Sequence, residues 1–370
     1  MDMTIEIARL EASVHRAPVD VPVRTSFGTM RDRPAVFLRI TDTDGARGYG
    51  EVWCNFPHVG AEHRARLAEE VVAPLLFSMG AQEPHGLFDR LMARLHVLAL
   101  QSGEWGPLMQ VAAGIDAALH DLAARRAGLP LHRWLTPESV PDIRAYASGI
   151  GPERPAEVAA ACAEVGHRAF KQKVGFGRDT DLASLRAIRA AIGDEATLMA
   201  DANQGWDLAE ATARCAEYAQ FDLTCIEEPL RADRPLDEWA SLASSSPVAL
   251  AGGENIYDHS AIETMASRQI IRFIQPDVAK WGGVSGCMAA AEAARRVGAV
   301  YCPHFLGGGV GLIASAHLLA AHGGDGLLEM DSNPNPLREE LVAGVLDVAG
   351  GRIMLPDRPG LGVEPDHLFD

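Results

Sequence analysis

The sequence predicts an α/β protein, a (β/α)₈ barrel preceded by a smaller α+β domain, and three observations carry that expectation. First, Lys173, Asp201, Glu227, Glu254, Asp277, His304 and Glu329 follow one another in steps of 28, 26, 27, 23, 27 and 25 residues. A strand, a helix and their loops occupy about 30 residues in such a barrel, so each step returns the chain to the same barrel end. Second, each charged residue closes a short apolar run of the kind that suits a strand buried on both faces. Third, helix stops fall between the runs, at Gly166, Gly193 and Gly298.

In chain order, 5–15, 35–40 and 48–53 read as strands, and the stretches near 62–76, 85–98 and 108–126 read as helices. Residues 1–130 thus form a small α+β domain, closed by the helix stop Gly128-Leu129-Pro130. Within 131–330, strand one is expected at 143–148. The runs 168–170, 197–200, 223–226, 248–251, 273–276, 299–303 and 327–328 supply the other seven. Helices are expected at 155–165, 181–192 and 285–297, and Asp207 with Glu210 forms a capping box for the helix after Asp201. Residues 331–370 are rich in Pro and Gly. They are too irregular for another repeat and are expected to pack back on the first domain.

The 370 residues carry a formal charge of −17, which argues against nucleic acid and anionic membranes as partners, since both need a basic footprint. The six cysteines are scattered without a CxxC pair, and no secretory apolar core precedes them, so a reducing cytoplasm is expected. No apolar stretch approaches the ~20 residues of a membrane span.

In a (β/α)₈ barrel the carboxyl ends of the strands carry the chemistry. Asp201, Glu227 and Glu254 end three consecutive strands, and three converging carboxylates repel one another unless a cation sits among them. All-oxygen ligation favours Mg²⁺, with Mn²⁺ as a substitute, over Zn²⁺. Lys171 and Lys173 alternate with Gln172, so both ammonium groups point to one side of their strand. Their mutual repulsion is expected to make Lys173 a neutral base near pH 7, while Lys171 pairs with a substrate carboxylate. Asp277 is expected to fix the tautomer of His304, which becomes a second acid/base facing Lys173. Glu329, if protonated, would donate a hydrogen bond to the substrate. Together these groups suit removal of the proton next to a carboxylate, with a metal-stabilised enediolate as product.

The segments Lys171-Gln172-Lys173, Asp201-Ala202-Asn203-Gln204, Ile226-Glu227-Glu228-Pro229, Gly253-Glu254-Asn255, Pro276-Asp277, Gly282-Gly283, His304 and Glu329 resemble the mandelate racemase branch of the enolase superfamily, over nearly the whole chain. The resemblance implies an N-terminal capping domain, a modified TIM barrel of the form (β/α)₇β, one essential Mg²⁺ and a homo-oligomer, from dimer to octamer. It assigns the metal ligands to Asp201, Glu227 and Glu254, the bases to Lys173 and His304, the orienting role to Asp277 and the electrophile to Glu329. The muconate-lactonizing branch instead carries a lysine where this chain has Asp277, and Lys280, three residues on, is expected to be badly placed to substitute. Phe170 to Gly177, Leu328 to Asp331 and Asn335 to Arg338 are also similar to acid-sugar dehydratases and lactone cycloisomerases of the superfamily.

Specificity is expected from capping loops at 21–33 and 53–62. Arg24, Thr25, Ser26, Thr29 and Arg31 suit a polyhydroxylated substrate or a second carboxylate, since donors left unpaired around an apolar ligand are costly. Arg24, His58, Lys171 and Asn203 are the expected substrate contacts. Phe27, Trp53 and Phe56 favour an apolar body. The expectation is therefore an acid sugar or its lactone, undergoing dehydration or cycloisomerisation. The alternatives are racemisation or epimerisation of a 2-hydroxy acid and, from another class, a non-catalytic carboxylate-binding barrel. A metal-dependent hydrolase would need several His ligands, including an HxH on strand one, and 143–148 has none.

Overall fold

The computed structural model describes residues 3–24 and 28–370, without the side chains of Asp20, Val21, Val23 and Arg24. The Arg24 side chain and all of Thr25, Ser26 and Phe27 lie outside the described residues. Strands β1 (Ile7–Arg24), β2 (Thr29–Asp42) and β3 (Arg47–Val52) form an antiparallel sheet in that order. The expected loop at 21–33 is largely strand: Val23 pairs with Met30 and Arg24 with Thr29. Backbone groups on each strand satisfy those on the other, so the hairpin extends past the apolar patterning that marks its base. The helical stretch expected at 62–76 is three pieces, Gly60–Arg66, a π-helical Leu67–Val72 and Ala73–Ser78. Pro74 lacks the N–H that would continue the regular ladder and clashes with the preceding turn, which the wider π turn relieves.

Helices Leu87–Ser102 and Trp105–Arg126 cover the sheet. Trp105–Arg126 lies backbone to backbone on β3, because a Cβ at Gly50 would stand 2.0 Å from the Gly114 carbonyl and one at Gly48 2.3 Å from that of Ala118. The same helix ties the two halves of the chain together. Buried Asp116 accepts from Ser285 N at 2.9 Å and Ser285 Oγ at 2.7 Å, on the barrel helix Gly283–Val297.

The barrel strands are β4 (Asp142–Ile150), β5 (Ala169–Lys173), β6 (Thr197–Asp201), β7 (Leu223–Glu227), β8 (Leu250–Gly252), β9 (Phe273–Ile274), β10 (Val300–Tyr301) and β11 (Leu327–Asp331). All neighbours pair in parallel, in the order β10-β9-β8-β7-β6-β5-β4-β11. Seven helices connect the eight strands, from Pro155–Glu164 to Gly309–His322, so the architecture is (β/α)₇β. One side chain from each strand or the residue just past it, Tyr146, Ala169, Met199, Cys225, Ala251, Phe273, Cys302 and Leu327, fills the interior as a buried cluster beneath the charged strand ends. Small residues opposite Tyr146, Met199 and Phe273 let one layer close the barrel.

After β11 come the helix Pro336–Val342 and β12 (Arg352–Met354), which pairs antiparallel with β4. The last turn, Pro365–Phe369, reaches the first sheet: the Leu368 carbonyl accepts from Ser13 Oγ at 2.5 Å, and Tyr49 OH donates to Asp366 at 2.7 Å.

His132, in helix Leu131–Leu135, stacks on His317, in Gly309–His322, with ring centroids 5.3 Å apart. The His132 backbone N–H donates to His317 Nδ1 at 3.2 Å. Burial pushes His317 down to about 3 and His132 down to about 4, each helped by a neighbouring positive charge, and burial alone takes His167 to about 4. All three are neutral when folded and take up a proton on unfolding below their ordinary value of about 6.5, so their contribution is complete above pH 6.5 and is lost as pH falls toward 4. Each adds a slope of up to about 1.4 kcal/mol per pH unit. Urea unfolding from pH 7.5 to 4.5 should show this loss, and His317→Gln should shed about one proton's worth of the slope. Equal slopes in the two proteins would rule out His317 as a contributor.

Candidate active site

The strand register brings the charged ladder together. Lys173 pairs with Asp201 and Asp201 with Glu227 along β5, β6 and β7, while a bridge between Asp277 and His304 extends β9 and β10. Glu254 lies two residues past β8, after Gly253, whose φ of +143° and close approach to Gln275 N exclude a side chain. Asn203, Gln204 and Glu228 adopt positive φ of 43°, 62° and 40° just after the first two acids. Such strained backbone is uncommon for non-glycine residues and gathers at functional sites. In this conformation Asn203 turns back on Asp201, donating through its backbone N–H at 2.8 Å and through Nδ2 at 3.1 Å.

The acids are engaged by protein cations. Lys173 Nζ donates to Asp201 Oδ2 at 2.6 Å and to Asn203 Oδ1 at 2.8 Å. Lys171 Nζ lies 2.6 Å from Glu227 Oε2 and 2.7 Å from Glu329 Oε1, with Tyr146 OH at 3.1 Å. His304 holds Asp277 Oδ2 through Nδ1 at 2.7 Å and Glu254 Oε2 through Nε2 at 2.8 Å. Among the described residues no three His, Cys, Asp or Glu side chains close on one point as a finished metal cage. The donor set nevertheless fits a hard divalent cation. Asp201, Glu227, Glu228, Glu254, Asp277 and Glu329 are all buried, and against them stand Lys171, Lys173, Lys280 and His304, which leaves excess negative charge in a region of low dielectric. Glu227 registers it: burial first, then repulsion from Asp201, Glu329 and Glu254, push its carboxyl up to about 7 despite Lys171.

Three expectations need correction, on Lys173, Glu329 and Lys280. Lys173 is the charged partner of Asp201 here: burial pulls its proton affinity down most strongly, but Asp201 and Glu227 together outweigh burial and the repulsion from Lys171 and raise it. Glu329 is ionised: although burial favours its neutral form, Lys171 and His304 hold its carboxyl down at about 2. Its oxygens accept from Ser148 Oγ and, at 3.2 Å, from Phe305 N. Lys280 is inside the site, its Nζ 3.1 Å from Glu254 Oε2 and 2.8 Å from Asn255 Oδ1. A turn stapled by Lys280 N and Trp281 N to the Asp277 carbonyl, both at 3.1 Å, folds it back onto the acids. His58 is on the capping surface, with its carbonyl held by Arg16 Nη2 at 2.5 Å and its ring 3.7 Å from Asp32. It lines a cavity of about 280 Å³ with Thr29, Arg31 and Phe56. Lys171, expected to pair with a substrate carboxylate, is wholly enclosed by Glu227, Glu329 and Tyr146.

Sequence reasoning assigned no role to Glu228, Asn255 or Gln275. Asn255 Nδ2 bridges both oxygens of Glu228, at 2.9 and 3.1 Å, to Glu254 at 3.0 Å, and Gln275 Nε2 donates to Glu227 at 2.6 Å. Their signal was adjacency to ladder members.

Fold and site together define an enzyme of the enolase superfamily. The model described as mandelate racemase / muconate lactonizing enzyme, N-terminal domain, matches residues 9–135, and the one described as enolase C-terminal domain-like matches residues 153–368. The chain belongs to the mandelate racemase/muconate lactonizing enzyme family. A solved structure from Bordetella bronchiseptica RB50, described by that family name, is 51% identical with a TM-score of 0.92 and covers 99% of this chain and 98% of its own. D-galactarolactone cycloisomerase of Agrobacterium fabrum is 30% identical over 377 residues, 98% of this chain and 96% of that protein. L-talarate/galactarate dehydratase from Salmonella typhimurium LT2, solved with Mg and L-lyxarohydroxamate, is 27% identical with a TM-score of 0.83, covering 98% and 90%. Among the described residues no helix is long and apolar enough to cross a membrane.

Proposed function

We propose that this enzyme removes the α-proton of an acid sugar or its lactone, using Lys173 and His304 as the acid/base groups and Mg²⁺ held by Asp201, Glu227 and Glu254. The observation that carries the reading is the Asp277–His304 contact of 2.7 Å, whose other imidazole nitrogen faces Glu254, an acid that also feels the charge of Lys173. Two groups able to move protons thus bear on one set of carboxylates from different strands.

The ion, when bound, would supply Lewis-acid stabilisation of charge developing on the substrate carboxylate, and Mn²⁺ would serve in its place. This chain's residues do the rest. Asp277 holds His304 Nδ1, which aims Nε2 at the acids, 2.8 Å from Glu254, where it would give or take a proton on the substrate side. Lys173 Nζ, anchored by Asn203 Oδ1, handles the proton on the other face. Lys171 keeps a fixed positive charge between Glu227 and Glu329 where negative charge builds. The buried layer headed by Tyr146 and Met199 closes the floor against water. Removal of the α-proton and departure of a β-hydroxyl is dehydration, and departure of a lactone carboxylate from the β-carbon is ring opening. The same groups serve both.

An acid-sugar substrate is favoured by the relatives named for dehydration and cycloisomerisation of such compounds. Racemisation or epimerisation is the second reading, favoured by the two-sided arrangement of Lys173 and His304. Incubating the Mg²⁺-loaded enzyme with mono- and diacid sugars and their lactones in D₂O, followed by ¹H NMR, separates them. Loss of water or ring opening is expected, with solvent deuterium on the former β-carbon of the product, because the α-carbon becomes the ketone. Exchange with inversion alone would move the assignment to an epimerase, and exchange only with aryl or alkyl 2-hydroxy acids would overturn the acid-sugar reading.

A further inference from the structure

The end of β3 points three alternate residues of the capping domain at the loops that carry the Asp277–His304 pair. Glu51, 4% exposed, accepts from the backbone N–H of Gly308 at 2.5 Å and of Gly311 at 2.9 Å, at the start of helix Gly309–His322. The Trp53 N–H donates to the Ala279 carbonyl at 3.1 Å, with its ring 4.8 Å from Lys280 Nζ. Asn55 Nδ2 donates to the Leu306 carbonyl at 2.6 Å. The run Gly307-Gly308 is shaped to this carboxylate, because a Cβ on either residue would stand 2.7 or 2.9 Å from Glu51 Oε1. Burial pushes the Glu51 carboxyl up to about 7 against the pull of the two amides, and the charge of Asp277 adds to the rise, so Glu51 is in electrostatic reach of the pair. A buried carboxylate that merely filled space between domains would need no such cradle.

We propose that Glu51 is a positioning residue for His304: from the capping domain it fixes the backbone of the turn after His304, so that the imidazole faces the acids only when the cap is seated. The role rests on the reading of His304 as an acid/base group. Phe305 links the two, since its N–H is held by Glu329 and its ring fills the space that a Cβ on Gly311 would take, 2.2 Å away.

The test compares wild type, Glu51→Gln and Glu51→Leu by hydrogen–deuterium exchange of the peptide spanning 303–314, by the rate of carbethoxylation of His304, and by turnover of whichever acid sugar exchanges. Glu51→Leu frees both amides, and exchange of that peptide should rise about tenfold while peptides of β5 to β7 stay protected. His304 should be modified at an altered rate. The kcat should drop about a hundredfold with little change in KM, as displacement of a reacting group by ~1 Å would give. Glu51→Gln keeps one acceptor oxygen and should fall between. If Glu51→Leu does not fold, the Gln variant decides: faster exchange confined to 303–314 supports the proposal. Wild-type exchange and His304 reactivity in the folded variants, with only a lower Tm, would overturn it. Looser exchange together with full activity of His304→Ala would instead sink the role of His304, leaving the backbone clamp intact.

Discussion

Lys173→Ala and His304→Ala are each expected to lower turnover by about a thousandfold, the middle of the range that a positioned general acid or base supplies. The two losses should differ in kind. Each side chain approaches from its own strand, Lys173 from β5 and His304 just past β10, so on the proposed reading each would serve one face of the substrate carbon. Solvent deuterium should therefore still enter substrate of one configuration in one variant and of the opposite configuration in the other. Asp277→Asn should reproduce much of the His304 defect with the imidazole still present, because an amide no longer holds the Nδ1 proton as a carboxylate does. Exchange that persists unchanged in either Ala variant would remove that residue from the proton-transfer path.

The second large effect concerns the cation. Six buried carboxylates face three ammonium groups and one imidazole, so stripping divalent ions with EDTA should abolish turnover and Mg²⁺ should restore it. An ion that binds only the folded protein stabilises it by about 2.7 kcal/mol at a hundred times its Kd. Mg²⁺ should therefore raise the Tm of the stripped enzyme, and Asp201→Asn, Glu227→Gln or Glu254→Gln should each diminish that rise. The thermal readout needs no substrate and so stands apart from the reaction assigned. A Tm indifferent to Mg²⁺ in the wild type, or an equal rise in all three variants, would refute the ligand set.

The barrel could be read from the chain because its repeat is local. The spacing of Lys173, Asp201, Glu227, Glu254, Asp277, His304 and Glu329 is one strand, helix and loops, and the hydrophobic periodicity of each piece shows which end of the strand faces the site. The strands of the first sheet and the stop at Gly128 were legible for the same reason. The extension of β1 and β2 into 21–33 was not, since cross-strand pairing and not side-chain pattern sustains it.

Lys280 shows the limit within the site itself. Counted along strand six it lies beyond reach, yet the Asp277 carbonyl turns the chain and delivers its ammonium to Glu254. Glu51 shows the limit between domains, because its partners at Gly308 and Gly311 are over 250 residues away and only docking of the cap brings them within 2.9 Å. Protonation was equally hidden. Adjacent lysines suggested a neutral base, and Glu329 could donate only if protonated, but Asp201 and Glu227 hold Lys173 charged while Lys171 and His304 hold Glu329 ionised. Which residues occupy the strand ends is a matter of local period and propensity, already written in the order of amino acids. Which of them touch, and what charge each then carries, depends on long-range approach and shared burial, and these exist only once the barrel has closed under its cap.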